Sequence, residues 1–160
     1  MDLVGGSESY ALLQVWGPPS GGPSQLQLGN LGTHAIAFTG RASLLNVTSQ
    51  VSEMKNALDD SDDPVSYDVN IVVGPEWRDV KQVAPLVVVT DVYSNGTDSD
   101  DQFQITVEPR TPAWSVTDSS PKKIVLHVKV TQAGEKLFIY ALSYSVTATG
   151  DLRHVETFIP

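Results

Sequence analysis

Asp98-Ser99-Asp100-Asp101 sets three carboxylates within four residues of a stretch rich in turn formers. An oxygen-rich loop of that kind can offer several hard ligands to Ca²⁺. Asp91 or Glu108 can add a side chain from the flanking stem. No complete twelve-residue calcium loop surrounds these acids, and a charged tip that blocks edge-to-edge aggregation accounts for them equally well. The run Asp59-Asp60-Ser61-Asp62-Asp63-Pro64 carries the same two readings. Ca²⁺ at Asp98, Asp100 and Asp101 is therefore the candidate metal, and no motif requires a cofactor.

Trp77 and Trp114 stand in Pro-flanked stretches expected to be loops, where an indole can stack on a sugar ring or pin the loop to the core. These two are the candidate ligand-binding residues. The three histidines, His34, His127 and His154, are far apart on expected strands, with no His-x-His or His-Glu-x-x-His spacing. They are expected to be satisfied surface or interface residues. With no cysteine there is no thiol nucleophile and no zinc-thiolate site. No Gly-x-Ser-x-Gly elbow, phosphate-binding loop or dinucleotide fingerprint occurs. A hydrolytic reading would need two acidic side chains facing each other across a cleft, and the expectation is a non-enzymatic domain. Asn46-Val47-Thr48 and Asn95-Gly96-Thr97 match the N-glycosylation pattern, the second also being ordinary turn chemistry.

The elements that must position these residues are read from period-two alternation. In Gln102-Phe103-Gln104-Ile105-Thr106-Val107-Glu108, Phe103, Ile105 and Val107 share one side and the polar residues the other. Ile124, Leu126, Val128 and Val130 repeat the pattern, with His127 and Lys129 opposite. Strands are expected at 10–16, 25–28, 33–39, 44–48, 67–73, 86–93, 102–108, 124–131, 136–147 and 154–159. Gly40-Arg41 reads as a bend and Gly150-Asp151 as a turn. Residues 74–85 read as a long loop carrying Trp77, and 109–121 as a Pro-rich crossing carrying Trp114. Two hairpins are expected, one joining 86–93 to 102–108 and one joining 124–131 to 136–147. Leu86-Val87-Val88-Val89 reads as a central strand covered on both faces. One short helix is expected near 49–58, with Val51, Met54 and Leu58 on one side. The fold class is all-β: an antiparallel β-sandwich of Greek-key or jelly-roll type with about nine short strands.

A chain of 160 residues suits one domain spanning 1–160, with 1–9 a candidate linker remnant and 17–23 a Gly/Pro-rich loop. The net charge is −9, and thirteen of the nineteen acids fall within 59–118 beside only three bases. A field of that sign repels phosphate backbones, so no nucleic acid is expected as partner. No apolar run approaches the ~20 residues a bilayer-spanning helix needs, so no membrane insertion is expected, and Met1-Asp2-Leu3-Val4-Gly5-Gly6 does not read as a secretory signal.

The Gly/Pro-rich entry at 17–23, the cysteine-free β-pattern and Thr/Val/Ser-rich strands such as Ala141-Leu142-Ser143-Tyr144-Ser145-Val146-Thr147 resemble the protruding domain of small icosahedral RNA virus capsid proteins. The likeness is to the insect-infecting nodavirus and tetravirus type, including the honeybee Lake Sinai viruses. It implies a virion-surface projection with homo-oligomer contacts within a capsid and a host receptor or glycan as partner. It also implies that Asp98 and Asp100 match the Asp-x-Asp pair through which some of these projections hold Ca²⁺. The competing expectation is a carbohydrate-binding or adhesin module of a larger extracellular protein, using Trp77, Trp114 and the acidic tip.

Overall fold

The computed structural model describes residues 2–16, 33–44, 64–94, 104–119, 121–133 and 137–154. Seven strands account for nearly all of them: β1 (Asp2–Val4), β2 (Gly6–Trp16), β3 (Thr33–Ser43), β4 (Val65–Ser94), β5 (Gln104–Val116), β6 (Lys122–Ala133) and β7 (Leu137–Leu152). The strand order is β2-β3-β7-β4-β6-β5, antiparallel throughout, with β1 pairing parallel to β4 off this path. The result is an all-β, antiparallel, sandwich-like fold. The candidate helix at 49–58 and the strand at 25–28 lie outside the described residues, as do 45–48 and 155–159.

The long β4 organises the molecule. Its first part, from Val65 to Val73, pairs with β6, and its second, from Trp77 to Ser94, pairs with β7. Register shifts at Val73/Trp77, Trp77/Asp79 and Val80/Gln82 crowd the joint between them. Bulges of this kind bend a strand and raise its twist, so one strand contributes to both halves of the sheet. Gly74 sits at the joint with φ +78°, and a β-carbon there would come within 2.7 Å of the Phe38 ring. Only glycine meets both demands. The joint is tied further by the Glu8 carboxylate, which accepts the Gly74 N–H at 2.7 Å and the hydroxyls of Tyr144 at 2.5 Å and Tyr10 at 2.6 Å.

Alternation turns one side of each strand inward. On β6, Ile124, Leu126, Val128 and Val130 are buried, joined by Val69, Ile71 and Val73 of β4, Ile36 and Phe38 of β3, and Leu142, Tyr144, Val146 and Ala148 of β7. Each such aliphatic side chain stabilises the fold by ~1.5–3 kcal/mol relative to exposure. Buried Gln132 is satisfied in part by the Tyr67 hydroxyl, which donates to its Oε1 at 2.7 Å.

Several sequence expectations need correction. Residues 74–85 are strand rather than loop, because Gly74-Pro75 and Pro85 serve as bulge and edge positions where a missing N–H is tolerated. Gly40-Arg41 is no bend: both residues lie inside β3, opposite Tyr144 and Ser143. Gly150-Asp151 likewise belongs to β7. Residues 2–9 form β1 and the start of β2 and are integral to the sheet. Most of the crossing at 109–121 is β5. Neither hairpin forms as expected, for β5 pairs with β6 rather than β4, and β7 pairs with β3 and β4 rather than β6. Finally, 86–89 is not covered on both faces. Leu86 and Val88 are 61% and 46% exposed, while Val87 and Val89 pack against the core.

Candidate functional site

Of the residues singled out by sequence, Trp77 is overturned as a ligand-binding residue. It is 1% exposed in the core at the β4 joint, so neither ring face can receive a sugar. Trp114 is partly buried on β5 opposite Leu126 and packs against the core cluster, which turns its ring inward. Asp98, Asp100 and Asp101 lie outside the described residues. Among the described residues no group of three or more His, Asp or Glu side chains could hold a metal ion. The histidines do not converge: His34 is fully buried with Nδ1 accepting the Leu152 N–H at 3.3 Å, His127 lies mid-strand on β6, and His154 lies 3.9 Å from Glu76.

Two arrangements remain that pairing alone could reveal. The first is on the second half of β4. Leu86, Val88 and Val92 share one parity and are all exposed, Val92 at 39%. Among the described residues the strand from Asp79 to Ser94 pairs with β7 alone, leaving its other edge unpaired there. Leu86 and Val88 border a hollow of about 380 Å³ whose other walls include Thr39, Arg41, Ser143 and Ser145. An apolar rim therefore stands beside a hydroxyl-lined floor on an open sheet face.

The second arrangement lies on the outward face of the first half of β4 and its neighbours. Register places Asn70 opposite His127 and Ser115 opposite Val125, so the three polar side chains share that face. His127 Nδ1 meets Asn70 Oδ1 at 2.7 Å, and His127 Nε2 meets Ser115 Oγ at 2.7 Å. Arg110 Nη1 donates to the same Asn70 Oδ1 at 3.1 Å, and Asn70 Nδ2 donates to Asp2 Oδ1 at 2.9 Å. Arg110 Nε lies 3.6 Å from Asp68. Burial pushes the His127 pKa down, and the Arg110 cation pushes the same way against the opposing Asp2 carboxylate. The ring is thus neutral at pH 7. No spacing in the sequence announces this cluster, since its members come from four strands; the one legible signal was a histidine on the polar side of an alternating strand.

No family model matches the chain, and neither a curated protein nor a solved structure matches it.

Proposed function

We propose that this domain is a non-enzymatic surface module that docks through the open edge and apolar row of β4, resembling a viral capsid protruding domain in subunit contacts and host-cell attachment. The observation that carries the reading is the exposure of Leu86, Val88 and Val92 on a strand with one edge unpaired among the described residues. Isolated exposed apolar residues are ordinary, but a row beside an unpaired edge is what strand addition uses for affinity and side-chain fit. The occupant of this reading is a second copy of the chain, held at high local concentration on a particle, with host receptor or glycan met by other exposed surfaces. A virion-surface location fits the net charge of −9, which disfavours nucleic acid.

Sedimentation over a concentration series tests it. Reversible self-association that is abolished by Leu86→Lys with Val88→Glu, at unchanged melting temperature, supports the reading. A monomer at all concentrations up to the millimolar range, or association indifferent to the double substitution, defeats it. The adhesin alternative has lost Trp77 and now rests on Trp114 and the acidic tip. A glycan array with Trp114→Ala as control decides whether any sugar binding depends on that residue.

A further inference from the structure

We propose that Ser115 is an activated nucleophile that accepts an acyl group from an activated ester, with His127 as its base and Asn70 as the residue that positions the base. This goes beyond the docking role and involves none of the residues on which that role depends.

Arg110 can only donate, so the Asn70 atom it meets is the carbonyl oxygen, and Asp2 can only accept, so the atom facing it is the NH₂. With the amide orientation fixed from both ends, Asn70 Oδ1 can only accept from His127 Nδ1, which must carry the ring proton. In the neutral imidazole Nε2 then holds a lone pair, and the Ser115 hydroxyl donates to it at 2.7 Å. A hydroxyl, a neutral imidazole base and a third group that orients the base are the parts of an activated nucleophile.

The step balances without a co-reactant. Ser115 Oγ bonds to the ester carbonyl carbon while its proton passes to His127 Nε2. Collapse of the tetrahedral adduct breaks the bond to the leaving oxygen, which departs with that proton, leaving Ser115 esterified and an alcohol released. Asn70 Oδ1 holds the imidazolium in place meanwhile. The charged groups facing His127 are Arg110 on β5, Asp2 on β1 and Asp68 on β4, with Lys129 and Glu108 one pair further along.

The test treats the intact chain with 4-nitrophenyl acetate and 4-nitrophenyl butyrate, follows nitrophenolate release, and locates the acyl group by peptide mass mapping. Expected is one acyl group on Ser115, absent in Ser115→Ala and formed on the order of 100-fold more slowly in His127→Gln. Asn70→Ala should shift the pH midpoint of acylation, a readout that a purely structural asparagine would leave alone. Each variant's melting curve shows that it is folded. Acyl groups confined to lysines and the amino terminus, or Ser115 acylated as fast in folded His127→Gln, would overturn the proposal.

Discussion

The two halves of β4 share one strand and almost nothing else. From Val65 to Val73 it is flanked by β6 on one side and, at Asn70 to Val72, by β1 on the other. Its inward residues Val69, Ile71 and Val73 are at most 1% exposed, and its outward residues Ser66, Asp68 and Asn70 are polar, with Val72 beside β1. From Asp79 to Ser94 it pairs with β7 alone among the described residues, and of its outward positions Leu86, Val88 and Val92 are apolar, with Thr90 between them bonded to Ser143. The comparison teaches that hydrophobicity does not by itself mark the interior. Where both edges are occupied, polar residues can cover the outer face; where one edge is free, apolar residues stand in solvent and invite a partner.

Ile71→Ala and Val88→Ala should break the symmetry of the strand most plainly. Removing the fully buried Ile71 side chain should cost about 2–5 kcal/mol in urea unfolding, whereas Val88→Ala in the monomer should change stability by no more than about 0.5 kcal/mol. Equal effects would mean that the second half is as enclosed as the first. At the joint, Gly74→Ala places a side chain at positive φ against the Phe38 ring and should lower stability by about 1–3 kcal/mol, measured by the same unfolding curves.

The tyrosines give a smaller effect with a defined pH window. Burial pushes the Tyr67 hydroxyl up to about 12 from its ordinary 10.0. The neutral form is thus favoured by folding, so its contribution is complete below pH ~10 and is lost as pH rises toward ~12. Tyr144 and Tyr10 shift upward too, through burial and their hydrogen bonds to Glu8. Spectrophotometric titration should show tyrosinate forming together with alkaline unfolding, and Tyr67→Phe should flatten the stability loss in that window. The smallest effect belongs to His127. Its pKa is lowered in the folded chain, so its contribution is present above the unfolded value near 6.5 and fades as pH falls through the folded one. An NMR titration of the His127 ring that gave a midpoint above 6.5 would contradict the account of its surroundings.

Much of the architecture was legible because strand alternation is a local property. β6 buries Ile124, Leu126, Val128 and Val130 as its pattern indicates, and the expected strands 10–16 and 33–39 lie within β2 and β3, both of which run further than the pattern showed. Pairing was not legible, because nothing local in β6 says that its neighbours are β4 and β5 rather than the next strand. Gly74, Pro75 and Pro85 misled for a physical reason: the residues that end strands are also those that bend them. Trp77 was misplaced with them. The Ser115–His127–Asn70 cluster was beyond reach, since its partners stand 12 and 57 residues apart and only register brings them onto one face.

The carboxylate of Glu8 accepts from β2, β4 and β7 at once, so an amino-terminal residue works as a clasp on contacts made by residues far down the chain. Trimming the first eight residues would therefore not shorten a tail. It would unfasten the bend on which both faces of the molecule depend.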